Sequence, residues 1–199
     1  MNLSERVKGI LLKPRQEWDT ISREPTTISD LYRNYVVILA AIGPVASIIG
    51  MSIVGIQLPF AVGSFGGSFR VPLSTSISSA LVHYILTLVG VYVFAVIIDA
   101  LAPTFSGEKN INQAFKVAAY SSTPGWVVAV IALIPSLSPL GILGLYGLYL
   151  LFLGLPVLMK SPKEKSAGYT IAVIVAGVVI FLVIGFISRA FISYPALGR

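Results

Sequence analysis

Residues 95–126 read Ala95-Val-Ile-Ile-Asp99-Ala-Leu-Ala-Pro103-Thr-Phe-Ser-Gly107-Glu-Lys109-Asn-Ile-Asn-Gln-Ala-Phe-Lys116-Val-Ala-Ala-Tyr120-Ser-Ser-Thr-Pro124-Gly-Trp126. The stretch leaves one apolar segment, turns through a short polar loop and enters the next. Pro103 stops the first helix, because it offers no N–H and cannot continue the helical ladder. Asp99 is the one carboxylate inside a long apolar run of this chain. A carboxylate in such a setting marks a functional site or a structural pair. Lys116, Tyr120 and Pro124 follow at i, i+4 and i+8, so they share one face of the second helix. Pro124 also leaves the Tyr120 carbonyl without its usual partner.

Composition says what kind of molecule carries this hairpin. Of 199 residues, 56% are hydrophobic and 11% charged, against about 25% charged in a soluble domain. The mean hydropathy of +0.89 points to a membrane protein. The expected fold is an all-α membrane protein with five transmembrane helices and an amphipathic N-terminal cytoplasmic segment. There is no cysteine and a single histidine, His83. Disulfides, thiolate chemistry and a Cys- or His-built metal site are therefore excluded, and no cofactor is expected. The net charge of +6 is read as membrane orientation and contact with anionic lipid rather than nucleic acid.

Upstream of the hairpin, residues 1–33 form a polar segment with no apolar core of the kind a signal peptide carries. Leu3, Val7, Ile10 and Leu11 recur at helical spacing. Pro14 suits the first position of a second short helix, which carries Trp18 and Ile21. Two readings are open. The pieces lie on the bilayer, with Trp18 at headgroup depth and Arg6, Lys8, Lys13, Arg15 and Arg23 near lipid phosphates. Alternatively they cap the protein's own loops. Thr27 and Asp30 are spaced as a capping box with Asp in place of Glu.

Five spans are predicted at about residues 35–56, 76–101, 115–134, 140–159 and 168–188, since about 20 apolar residues cross a bilayer. They form a domain over residues 34–192, followed by an external tail at 193–199. Pro44 is expected to kink the first span. Residues 57–75 are a Gly/Ser/Pro-rich connector, with Gly63, Gly66 and Gly67 too irregular for a phosphate loop. Gly141, Gly144 and Gly147 leave a stripe without side chains on the fourth span, suited to packing within the bundle or between copies. Arg189, Phe191 and Tyr194 read as an interfacial anchor. Eleven of the fourteen Lys/Arg residues fall on the N-terminal side of this topology. The positive-inside rule thus places the N-terminus in the cytoplasm and the C-terminus outside.

The order of several motifs carries a resemblance. These are Pro14 with Trp18, Asp30-Leu31-Tyr32, Leu101-Ala-Pro-Thr-Phe-Ser-Gly107, and Ala114-Phe-Lys-Val-Ala-Ala-Tyr-Ser-Ser-Thr-Pro124. Tyr146-Gly-Leu-Tyr149, Gly154-Leu-Pro156 and Gly168-Tyr169-Thr170 complete the set. The chain resembles the Yip family of Ypt/Rab-GTPase-interacting membrane proteins, in its bacterial branch. That resemblance implies five spans, a cytoplasmic N-terminus and residence in the bacterial inner membrane. Eukaryotic members carry Asp-Leu-Tyr-Gly-Pro where this chain has Asp30-Leu31-Tyr32-Arg33-Asn34. The glycine and proline are absent and a bacterium has no Rab cycle, so a GTPase partner does not carry over.

No Ser/His/Asp set, paired intramembrane carboxylates or metal-ligand spacing is legible, so no catalytic residue is assigned. The expected function is non-enzymatic membrane organisation, or interaction with lipid, a membrane-protein partner or a second copy. The alternative is an oligomeric channel or transporter in which Asp99 lines a cytoplasm-facing pocket with Lys116, Tyr120 and Pro124. In the bland case Asp99 simply pairs with Lys116 or Tyr120 and pins the hairpin.

Overall fold

The structure is a computed structural model that describes residues 2–57 and 68–190. Two short helices, α1 (Leu3–Leu12) and α2 (Pro14–Arg23), meet at Lys13. Asn2 caps α1 by accepting from the Ser4 N–H at 3.3 Å, and Pro14 opens α2. Five long helical segments follow: α3 (Ile28–Val54), α4 (Leu73–Phe105), α5 (Ile111–Leu133), α6 (Ser136–Leu158) and α7 (Lys163–Ala190). All five are long and apolar enough to cross a membrane. Each begins before its predicted start, because the polar flanking residues continue the same helices. Between α3 and α4, β1 (Ile56–Gln57) pairs antiparallel with β2 (Ser68–Phe69). The glycines at 63, 66 and 67, the tail at 193–199, and Phe191 and Tyr194 lie outside the described residues.

Prolines break the helices where the missing N–H requires it. Pro44 leaves the Ala40 carbonyl unserved, and α3 is interrupted at Ala41. Pro124 does the same to Tyr120, and α5 is interrupted at Ser122. In α4 the regular helix ends at Leu101, and Ala102–Phe105 tighten into a 3₁₀ turn. Thr27 caps α3, accepting from the Asp30 N–H at 3.1 Å while its hydroxyl donates to the Asp30 carboxylate at 2.6 Å. The stretch Pro135–Leu145, which leads into and forms the first half of α6, is also 3₁₀. Three residues per turn set Gly141 and Gly144 in one row, and Gly147 lies just beyond, in the α-helical half.

The core is concentrated toward one end of the bundle. There α4 packs on α5 and α7, α5 packs on α6, and the α1–α2 hairpin lies against α6. Trp18, Ile21, Ile98, Phe115, Leu155 and Tyr169 are fully buried there. At the same end the α4–α5 and α6–α7 loops are joined: the Glu108 N–H donates to the Met159 carbonyl, and Lys160 pairs with Glu108 at 2.7 Å. Large apolar side chains of the long helices are exposed elsewhere, from Leu73 to Val96 on α4 and from Ile171 to Phe186 on α7. Such a belt is unstable in water and suited to hydrocarbon, since the helices satisfy their own backbone groups.

Candidate functional site: a polar node under the N-terminal hairpin

The hairpin docks through charges that its sequence places on the apolar side of its helices. Arg6 lies one turn before Ile10 on α1, so the face that buries Ile10 also buries Arg6. Arg6 is 4% exposed. Its guanidinium donates to Glu17 at 2.6 Å and to Glu24, and it stands 5.5 Å over the Tyr120 ring. Burial works against its charge, but the Glu24 hydrogen bond and the fields of Glu24 and Glu17 outweigh it. The pKa of Arg6 is therefore raised above its ordinary value.

Lys116 reaches the same node from α5. Its ammonium donates to the Ile21 carbonyl at 3.0 Å and to the Glu24 carbonyl at 2.6 Å. Those carbonyls belong to the C-terminal end of α2, where backbone acceptors lack helical partners and a cation is favoured. The side chain of Gln113 donates to the Ser22 carbonyl at 3.1 Å alongside. Tyr120 is flanked by Trp18, edge to face at 6.2 Å, and by Tyr35 at 4.8 Å. Tyr35 in turn shares a 2.7 Å hydrogen bond with Thr123, and the Tyr146 hydroxyl donates to the Leu11 carbonyl at 3.0 Å. Two cations and two carboxylates thus meet beneath one hairpin, ringed by aromatic groups.

The four residues expected around one pocket are divided. Lys116 and Tyr120 face the hairpin, and Pro124 is buried one turn further along. Asp99 is not with them. It lies within Coulombic reach of Tyr169 on α7, whose hydroxyl donates to the Ile98 carbonyl. Its Oδ1 is buried with no partner among the described residues. The expected pairing of Asp99 with Lys116 or Tyr120 is therefore not made. The Lys116 ammonium is already engaged by two α2 carbonyls, and Asp99 sits on the side of α4 that meets α7.

The basic residues of the N-terminal segment are divided as well. Lys8, Lys13, Arg15 and Arg23 are exposed, whereas Arg6 and Trp18 point into the protein. Packing explains the difference for Trp18, because Gly154 of α6 leaves a seat for its indole. Glu17 and Glu24 have no sequence signal of their own. Among the described residues, no cluster of His, Asp and Glu is placed to hold a metal ion.

Comparison with known proteins places this architecture. The Yip1 domain matches residues 8–184. The "Inner membrane protein YohC" of Escherichia coli K12 is 28% identical over 184 residues, covering 89% of this chain and 91% of that protein. The protein of the same name from E. coli O6:H1 strain CFT073 matches equally. No solved structure matches the chain at a significant level. The match begins within α1, just after Arg6, and runs into α7, and the chain belongs to the Yip1 domain family of integral membrane proteins.

Proposed function

We propose that the protein is a non-enzymatic organiser of the bacterial inner membrane, whose cytoplasmic end engages anionic lipid headgroups. In this reading the N-terminus is cytoplasmic and the C-terminus external. The observation that carries it is the division of charge on the hairpin. Its docking face is neutralised internally by Arg6, Lys116, Glu17 and Glu24. Its outer face keeps Lys8, Lys13, Arg15 and Arg23 free to meet phosphates. Lys163 and Lys165 are exposed at the same end of the bundle.

Depth supports the same reading. Leu11 is held by Tyr146, twelve residues before the end of α6 at Leu158, which corresponds to about 18 Å of helix. The hairpin tip therefore lies beside the apolar belt rather than above it, and its Leu12 is 76% exposed. An apolar tip flanked by cations suits the boundary between headgroups and acyl chains.

The test uses the intact protein in nanodiscs of phosphatidylcholine with and without phosphatidylglycerol. Phosphatidylglycerol is expected to raise the unfolding temperature. Salt is expected to weaken the effect by screening, and replacing Lys8, Lys13, Arg15 and Arg23 with Gln is expected to abolish it. Equal melting in both lipids would remove the reading.

A further inference from the structure

A second feature lies deeper in the bundle. A cavity of about 440 Å³ opens where α3 to α7 converge, bounded in part by Gly43, Gly90, Gly125, Gly144, Gly147 and Gly177. Its volume falls within the range of about 300–1,000 Å³ typical of small-molecule sites. The space is real at Gly125, where an added Cβ would meet nothing within 4 Å. The mouth is lateral. Lining residues Phe181, Leu145 and Leu148 are 71%, 58% and 41% exposed and lie in membrane-spanning segments. The cavity is therefore continuous with the lipid-facing surface.

The lining contains no Asp, Glu, Lys or Arg. An ionised headgroup drawn into this wall would lose its hydration without a counter-charge. A neutral polar group would find partners. Trp126 is 8% exposed and lines the cavity, and no side-chain hydrogen bond among the described residues engages its indole N–H. His83 also lines the cavity, and no side-chain hydrogen bond among the described residues engages its imidazole. The hydroxyls of Ser121 and Ser122 donate to their own helix, at 2.6 Å to the Val117 carbonyl and 2.8 Å to the Ala118 carbonyl. Their oxygens keep lone pairs free to accept.

From this we infer that the cavity is a binding site for a neutral membrane lipid, taking a hydrocarbon chain from the bilayer and a hydroxyl or carbonyl group at its polar wall. The site is distinct from the node: no residue of the α1–α2 hairpin lines it. Its occupancy does not depend on anionic lipid.

Trp126 provides the readout. The chain has two tryptophans, so Trp18→Phe leaves Trp126 as the sole tryptophan. The intact variant in phosphatidylcholine nanodiscs is titrated with diacylglycerol brominated in its acyl chains, then with phosphatidylcholine and phosphatidylglycerol brominated at the same positions. Diacylglycerol is expected to quench Trp126 saturably at mole fractions where both phospholipids give only a shallow linear response. Gly125→Leu, which puts a side chain into the space, is expected to abolish the saturable component. Gly144→Ala serves as a milder variant, since its Cβ would stand 3.5 Å from Gly125 Cα, an ordinary contact; it is expected to reduce that component. Identical linear quenching by all three lipids would show contact with bulk bilayer only and overturn the proposal. Saturable quenching by phosphatidylglycerol would overturn the neutral class, and saturable quenching unchanged in both variants would overturn the site.

Discussion

Trp18 of the N-terminal hairpin is seated on Gly154 of α6: a Cβ at position 154 would stand 2.7 Å from the indole Cζ2, closer than two carbon atoms can approach. The absence of one side chain in a membrane helix thus makes room for a fully buried aromatic group from outside it. Trp18 then supports Tyr120, and Tyr120 lies under Arg6.

Gly154→Leu is expected to expel Trp18 and loosen the hairpin, with an overpacking cost of about 1–3 kcal/mol. The measurable result is a red shift of tryptophan emission, with faster tryptic cleavage after Arg15 and Arg23. A variant with unchanged emission and cleavage would show that the seat is dispensable.

Arg6→Met removes the positive partner of Glu17 and Glu24. Breaking a fully buried pair costs about 3–5 kcal/mol. The cost here is expected near 2 kcal/mol, because Glu17 and Glu24 keep side-chain exposures of 16% and 32%. Thermal unfolding of the purified protein checks this. The raised pKa of Arg6 gives a sign as well: its contribution is complete below the unfolded value and lost only as pH rises through the higher folded value. The melting difference between wild type and Arg6→Met is therefore expected to stay constant from neutral pH to pH 10.

Lys116→Met takes away the donor that serves two carbonyls at the end of α2. A loss of about 1–3 kcal/mol is expected for hydrogen bonds from a charged group. Hydrogen exchange should rise at residues 21–26 and stay unchanged in α7. Uniform change along the chain would mean that Lys116 supports the whole bundle rather than this junction.

Asp99→Asn is expected to alter stability by less than about 1 kcal/mol, because no cation partners the carboxylate among the described residues. Denaturation in detergent decides it. A loss of about 3 kcal/mol or more would signal a charge pair of the kind first expected with Lys116.

The limits of sequence reading follow from particular residues. Pro44, Pro103 and Pro124 act on the carbonyl four residues before them, so their breaks were legible from local chemistry alone. Thr27 and Asp30 were legible for the same reason, although the Thr27 hydroxyl turns toward the Asp30 carboxylate instead of the reciprocal pattern. Trp18 and Arg6 were harder. Amphipathic spacing places an apolar face but not what covers it, and here the cover is the bundle's own α5 and α6. The spacing of Arg6 sets it on the face of Ile10, but not that α5 and α6 cover that face or that Glu17 and Glu24 supply its counter-charge.

The division between the two levels is physical. Hydropathy, helix length and proline chemistry act over one or two turns, so the chain by itself determined five membrane-length helices, a paired helical N-terminus and a polar hinge between the second and third spans. Electrostatic partners are chosen by packing across long separations. Lys116 reaches Ile21 rather than Asp99, and Tyr120 receives Arg6, because α2 and α1 fold back onto α5. Only the tertiary structure could turn residues 95–126 from one expected pocket into two surfaces: Asp99 toward α7, and Lys116 and Tyr120 beneath the hairpin.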